Sequence, residues 1–186
     1  EEAGVDAIVA EGFEAGGHNG REETTTLALI PQVRRATSLP LIAAGGIGSG
    51  SAMLATMALG AEGVQVGTLF ALSRESSASE AFKQRCLAVT EGDTMLALKK
   101  IAPTRLVKNA LYVRIQEAED AGASVDELRA LLGKAASKRG IFEGDVEQGE
   151  LEIGQVAMAV DTIKPAGQII AELLADFAAS QSQVSL

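Results

Sequence analysis

Three short apolar runs alternate with two segments of helical pattern in the first seventy residues. The runs are apolar almost throughout, and glycine-rich sequence follows each of them: Val5–Ala10, Leu39–Ala44 and Gly63–Thr68. Runs of this kind are typical of parallel strands that are buried on both faces. Because the connections are short, the order strand, helix, strand, helix, strand predicts parallel pairing with right-handed crossovers.

The two connecting segments carry apolar residues at helical spacing. In the first segment these residues are Leu27, Leu29, Ile30, Val33 and Ala36. The second segment runs from Gly50 to Leu59. We expect Ser49 or Ser51 to cap its start and Gly60 to end it.

The sequence after residue 70 is polar and rich in helix-forming residues. We therefore predict that 71–186 forms helices that pack beside the strands, and we divide the chain into two parts at this point, 1–70 and 71–186. Within the second part, Ser124 and Glu127 have the S-x-x-E spacing of a capping box at the start of a helix.

Both ends of the chain carry local signals. Glu1-Glu2-Ala3-Gly4 has the pattern of a last helical turn with its glycine cap, so we expect a further N-terminal portion to precede this sequence. Near the other end, a helical pattern from Val156 to Ala179 is interrupted at Pro165. The last residues, Ser180–Leu186, are expected to be a frayed polar tail.

Composition and charge restrict the class of protein. The 186 residues are 47% hydrophobic and 22% charged, which is typical of a soluble folded domain. The net charge is −9 and no basic stripe is visible, so we expect no nucleic-acid partner. No apolar run approaches the roughly 20 residues of a membrane span. The single cysteine, Cys86, fits a reducing cytoplasm and a buried position in the packing.

Glycines follow the second and third runs where helices are expected to begin. They are Gly45 and Gly46, and then Gly67, which is followed by Thr68. Backbone N–H groups at such glycines bind phosphate, and in a (β/α)₈ barrel the loops after the last two strands commonly do so. The alternative is that the glycines only allow tight turns. No P-loop or G-x-G-x-x-G pattern follows a strand, which disfavours a dinucleotide-binding Rossmann fold.

The one histidine of the sequence, His18, lies in the glycine-rich segment Glu11–Gly20 that follows the first apolar run. An imidazole at the carboxyl end of a buried strand can give or take a proton near neutral pH. The alternative is a surface-loop histidine with no partner. Glu14, in the same segment, is interpreted as a solvated loop acid.

Taken in order, these motifs resemble the FMN-dependent nitronate monooxygenase superfamily. The resemblance is carried by Ala10–Gly20, with its Glu14-Ala15-Gly16-Gly17-His18, by Ala43–Ile47 and by Val64–Thr68. Within the superfamily, the sequence is most similar to enoyl-acyl-carrier-protein reductase II, the flavin enzyme of bacterial fatty acid synthesis. Segments 103–109 and 143–155 also resemble the C-terminal region of that family.

The resemblance implies an α/β fold. The chain would hold the C-terminal part of a (β/α)₈ TIM barrel, with strands six to eight, followed by a C-terminal helical region. His18 occupies the position of the family's active-site histidine. The resemblance also matches residues to two parts of FMN: Gly45, Gly46, Gly67 and Thr68 to the phosphate, and Glu11, Ala15 and Gly17 to the ribityl chain and ring.

The implied activity is that of a cytoplasmic, FMN-dependent oxidoreductase that uses NADH or NADPH to reduce enoyl-acyl-carrier-protein thioesters. Two alternatives stay open. One is a nitronate monooxygenase that oxidises alkyl nitronates with oxygen, and the other is an inactive barrel fragment that binds a phosphate ligand or a partner chain. The expected substrate is thus an acyl-carrier-protein thioester or a small nitronate, without nucleic acid, membrane or metal. We also consider that the protein forms a homodimer.

Overall fold

The computed structural model describes residues 2–184. Within these residues the strands are β1 (Ile8–Glu11), β2 (Gly17–His18), β3 (Leu41–Ala44), β4 (Gly63–Gln65), β5 (Thr94–Ala97) and β6 (Thr104–Val107). The α-helices are α1 (Thr26–Ala36), α2 (Gly50–Ala58), α3 (Thr68–Ala71), α4 (Glu80–Leu87), α5 (Ala110–Asp120), α6 (Val125–Leu132), α7 (Ala136–Ile141) and α8 (Ala166–Val184), and a 3₁₀ helix spans Gln155–Ala159.

Strands β1, β3 and β4 form a parallel sheet in that order, with Ile8 opposite Leu41. This arrangement confirms the predicted parallel pairing of the three apolar runs, with α1 and α2 in the two connections. The strands are shorter than the runs that predicted them. β1 begins at Ile8 rather than at Val5, and Thr68 opens α3 instead of ending β4.

The core of the first part lies between this sheet and its helices. Ile30 of α1 and Leu41 of β3 are fully buried and belong to one apolar cluster with Ala10, Ala43, Ile47 and Ala61. Helix α2 begins as predicted, because the Ala52 N–H donates to Ser49 Oγ at 3.1 Å. Gly60 follows its end with a φ of +109°.

A second, antiparallel sheet corrects the prediction that 71–186 contains only helices. β5 and β6 form a hairpin, and β6 also pairs with the two-residue strand β2. The helical prediction fails at these strands because each is only four residues long. Such short runs give little periodicity to detect. Since β2 belongs to 1–70 and β6 to 71–186, the sheet crosses the predicted division at residue 70.

The C-terminal helices follow the predicted pattern in most details. Ser124 and Glu127 form the reciprocal capping box at the start of α6. The 3₁₀ helix and α8 flank Pro165, where the interruption was predicted. The predicted frayed tail is wrong up to Val184, where α8 ends, and its last two residues lie outside the described residues. Glu1, in the predicted N-terminal helical turn, also lies outside them.

Cys86 takes the packing position that its sequence context predicted. It is fully buried beside Leu72, Phe82 and Val89, and burial raises the pKa of its thiol to about 12. Such a thiol carries almost no thiolate at neutral pH and is therefore unreactive. None of the helices in residues 2–184 combines the length and the apolar character needed to cross a bilayer.

We predict that Ile30→Ala lowers the free energy of unfolding by about 2–5 kcal/mol, because it leaves a cavity between α1 and the sheet. The control is Leu27→Ala on the same helix, since Leu27 is 64% exposed and Ile30 is 0% exposed. Urea denaturation of both variants measures the difference. Equal losses would contradict the packing described for α1.

Candidate functional site

An open cavity of about 250 Å³ lies at the carboxyl ends of the parallel strands. Its wall is formed by the loops that follow β1, β3 and β4, together with a segment around Gly154. Six of the eight residues predicted from the sequence line it: Glu11, Ala15, Gly45, Gly46, Gly67 and Thr68. The parallel topology explains this convergence, because the carboxyl ends of parallel strands share one edge of the sheet.

The other two predicted residues, Gly17 and His18, lie beside the cavity and do not line it. They form β2, which directly follows the cavity residue Gly16. His18 is exposed and pairs with Thr104 of β6. Asn19 fixes the turn around them, since its Nδ2 donates to the carbonyls of Ala15 and Gly17 at 3.0 Å each.

Gly45 and Gly46 have backbone conformations that favour glycine, with φ of +88° and +71°. The loop after β3 also approaches the loop after β1 very closely, because a Cβ on Gly45 would lie 2.6 Å from the Gly12 carbonyl oxygen. The positive φ values and this close approach together exclude larger residues from this wall of the cavity.

Gly67 and Thr68 form a different part of the wall. A Cβ built on Gly67 would meet no heavy atom within 4 Å, so this position opens onto free space. The Gly154 N–H donates to Thr68 Oγ1 at 3.2 Å, which leaves the hydroxyl hydrogen of Thr68 free to donate. In the described loops and turns, no backbone carbonyl accepts from the N–H of Gly46 or Gly67. These groups can therefore serve an anion in the cavity.

Glu14 is not the solvated loop acid that the sequence suggested. Its carboxylate accepts from the Thr26 backbone N–H at 3.0 Å and from Thr26 Oγ1 at 2.9 Å. Thr26 is the first residue of α1, and the side chain of the N-cap residue Thr25 does not form a capping hydrogen bond. The prediction was wrong because the loop folds back onto a helix start, where free N–H groups and the helix dipole favour a carboxylate.

Sequence reasoning assigned no role to Arg105, which is 1% exposed in β6. Its Nη2 donates to the Phe13 carbonyl at 2.8 Å, and its Nε donates to the Ala15 carbonyl at 3.1 Å. The guanidinium carbon lies 4.6 Å from the centre of the Phe13 ring. Burial lowers the pKa of Arg105, and the charges of Glu14 and Glu23 act in the opposite direction. A single charged residue in the otherwise uncharged run Ile101–Val107 was the available signal.

Two further acids near the cavity were also missed. Glu152 lines the cavity, and Ser137 Oγ forms hydrogen bonds with both Glu152 and Glu150. Burial, the strongest influence, raises the pKa of Glu150, and the charge of Glu152 adds to this effect. Partial burial also raises the pKa of Glu11. Across residues 2–184, no group of three or more acidic, histidine or cysteine side chains is placed to hold a metal ion.

Comparison with known proteins identifies the family. A family model described as nitronate monooxygenase matches residues 1–176. A probable nitronate monooxygenase of Staphylococcus aureus strain MSSA476 is 35% identical over 188 residues, which cover 94% of this chain and 51% of the relative. The chain therefore belongs to the nitronate monooxygenase family, as its motifs suggested, and it spans about half the length of the curated relatives it matches.

Two solved structures share its fold. FabK from Thermotoga maritima is 38% identical with a TM-score of 0.91, and the match covers 98% of this chain and 58% of that one. Nitroalkane oxidase from Streptomyces ansochromogenes is 33% identical with a TM-score of 0.78, covering 99% and 55%. The α/β fold of this chain is thus that of these proteins, whereas closure into an eight-stranded barrel stays a prediction.

We predict that Arg105→Met lowers the free energy of unfolding by about 3 kcal/mol, because it leaves the Phe13 carbonyl without its donor and removes one of the two donors to the Ala15 carbonyl. The exposed Arg114 provides the control, and Arg114→Met is expected to change stability by less than about 0.5 kcal/mol. Chemical denaturation measures both values, and hydrogen exchange in residues 12–16 reports the loosened loop. A loop that stays protected in Arg105→Met would contradict this role.

Proposed function

We propose that this chain forms the FMN-binding part of a flavin-dependent oxidoreductase. The observation that carries the proposal is the glycine-walled cavity, in which Gly46 and Gly67 offer backbone N–H groups beside the Thr68 hydroxyl. Backbone donors of this kind are typical of phosphate sites. Family membership and the likeness to FabK and to nitroalkane oxidase support the same assignment.

The residues of the cavity suit a ligand with a phosphate at one end and hydroxyls along its length. Gly45, Gly46, Gly67 and Thr68 would hold the phosphate, and the Glu11 carboxylate would accept hydrogen bonds from ribityl hydroxyls. Ala15 and Gly17 would lie along the ribityl chain and ring. FMN, when bound, supplies two-electron redox chemistry with NADH or NADPH as the reductant.

For the substrate, the enoyl thioester of an acyl carrier protein is our first candidate, which places the protein in fatty acid synthesis. Reduction of such a double bond adds a hydride at the β-carbon and a proton at the α-carbon, and negative charge develops on the thioester oxygen in between. His18 would hold and deliver that proton, because its imidazole can act as a general acid and lies in the strand that follows Gly16. The acyl carrier protein would then be a transient partner.

An alkyl nitronate is the second candidate substrate, with oxygen as the oxidant. It is supported by the family model and by the names of the Staphylococcus aureus and Streptomyces relatives. In that reaction His18 would polarise the nitronate. Turnover of crotonyl thioesters with NADH or NADPH, measured against turnover of alkyl nitronates, separates the two candidates.

A binding function without catalysis is the third reading, and it is the one that a colourless protein would favour. In that case the cavity would hold a phosphate ligand, or the chain a partner, without redox turnover. Flavin absorbance of the purified protein, before and after addition of NADH or NADPH, distinguishes this reading from both enzymatic ones.

We predict that Gly67→Val weakens FMN binding by about 100-fold or more, since its side chain would enter space that the ligand fills. Gly67 has an ordinary φ and open surroundings, so the substitution leaves the fold intact, whereas Gly46 at φ +71° would be strained by any side chain. The control is Gly167→Val, which also meets no neighbour but lies on the exposed surface of α8. Titration of FMN fluorescence measures the affinities. Undiminished affinity in Gly67→Val would refute the phosphate assignment.

We predict that His18→Ala retains FMN but loses about 10²–10⁴-fold in kcat, the usual contribution of general acid–base assistance. We expect kcat to fall while the affinity for FMN stays the same, because the glycine loops line the cavity and His18 does not. Glu22→Ala, in the exposed part of the same loop, serves as the control. If His18→Ala turns over as fast as the unmodified protein at saturating NADH or NADPH, His18 has no part in the reaction.

A further inference from the structure

Glu152 places a carboxylate between the cavity and β2. It lines the cavity, and a Cβ on Gly17 would lie 2.6 Å from its Oε2, so the carboxylate lies directly against the residue that precedes His18. None of the ion pairs within residues 2–184 includes Glu152. Its hydrogen-bonding partner is the Ser137 hydroxyl on α7.

The Ser137 hydroxyl contacts two carboxyl groups with a single hydrogen. Its Oγ lies 2.9 Å from Glu150 Oε2 and also bonds to Glu152 Oε1. A hydroxyl donates one hydrogen bond, so the second bond needs a proton from one of the carboxyl groups. Burial raises the pKa of Glu150, whereas the hydrogen bond with Ser137 and the charges of His18 and Arg139 act in the opposite direction. Ser137 Oγ thus holds the two carboxyl groups next to each other, with Glu152 on the cavity side.

The other acids of the cavity wall are placed differently. The Glu14 carboxylate is already bonded to Thr26 at the start of α1. Glu11 lies at the end of β1, and none of the described residues that line the cavity is a lysine, arginine or histidine. The wall next to β2 therefore presents the carboxylate of Glu152, whereas the glycine loops present N–H donors.

We propose that Glu152 is a specificity-determining residue that disfavours anionic substrates beside β2 and selects a neutral acceptor such as an enoyl thioester. The proposal rests on the proposed function, because it assumes that the substrate binds between the flavin ring and His18. An anion such as an alkyl nitronate would meet a like charge there. In a partly buried site, this repulsion lowers the affinity for an anion by about tenfold relative to a neutral ligand of the same shape. Glu150 and Ser137 act as positioning residues, because Ser137 Oγ bonds to both carboxyl groups and holds that of Glu152 in place.

The test compares two ligands of the same shape and different charge in the FMN-loaded protein. Crotonate is an anion and crotonamide is its neutral counterpart, and the change in flavin absorbance on titration gives both dissociation constants without turnover. In Glu152→Gln, we expect the affinity for crotonate relative to crotonamide to rise about tenfold. The ratio of kcat/KM for an alkyl nitronate to that for crotonyl thioester should rise in parallel.

Three further variants separate charge from packing. Glu152→Asp keeps the carboxylate and should keep the preference for the neutral ligand. Glu150→Gln keeps a hydrogen-bonding side chain next to Ser137 and should leave the ligand ratio unchanged, as should Glu147→Gln on the exposed surface of the same segment. In the unmodified protein, crotonate binding should tighten with added salt, because salt screens repulsion, and this dependence should disappear in Glu152→Gln.

The outcomes separate the two proposals. If the protein binds FMN and the ligand ratio is the same in Glu152→Gln as in the unmodified protein, the role of Glu152 is refuted while the flavin assignment stands. An identical change in Glu152→Asp and Glu152→Gln also refutes it, since packing would then be the cause. If the protein does not bind FMN, the proposed function fails, and the substrate inference fails with it.

Discussion

The guanidinium of Arg105 lies inside the protein, and its described hydrogen bonds go to neutral acceptors. They are the carbonyls of Phe13 and Ala15 on one side and the backbone and hydroxyl oxygens of Thr94 on the other. A buried cation is costly unless its donors are satisfied, so these contacts hold the loop after β1 at a fixed distance from β6. Arg105 thus connects the loop after β1, which forms part of the cavity wall, to the antiparallel sheet of β5 and β6.

The rest of the site depends on the close approach of the segment around Gly154 to the loop after β1. A Cβ on Gly16 would lie 2.3 Å from the backbone of Ile153, and the Gln155 N–H donates to the Glu14 carbonyl at 3.0 Å. The loop is thus held between Arg105 on one side and the segment around Gly154 on the other. In the proposed phosphate site, backbone N–H groups rather than cationic side chains would therefore be the donors, among the residues that the structure describes. Recognition by backbone groups needs glycine and a rigid frame, and the buried arginine supplies part of that frame.

The sequence predicted the parts of the fold that have a strong local signal. Apolar runs followed by glycines identified β1, β3 and β4, and their parallel order brought Gly45, Gly46, Gly67 and Thr68 to one edge. The resemblance to a known family then assigned roles to these residues. Helix caps at Ser49 and Ser124 were predictable because capping depends on neighbouring residues alone.

What could not be predicted depends on contacts between distant segments. The strands β5 and β6 are too short to have a visible period, and β2 exists only because β6 pairs with it. Arg105 gains its role from a loop about ninety residues away along the chain. Glu150 and Glu152 resemble ordinary surface acids until α7 places Ser137 between them. In each case the residue type was visible, but the partner that defines its role was not.

The most direct measurement of the central claim compares the affinities of FMN and riboflavin for the purified protein. The two ligands differ only in the phosphate, so their ratio of dissociation constants isolates the contribution of the glycine cavity. If backbone N–H groups and Thr68 hold that phosphate, FMN binds more tightly by about 100-fold or more, since each charge-assisted hydrogen bond contributes about 1.5–3 kcal/mol. Equal affinities for the two ligands would contradict the account.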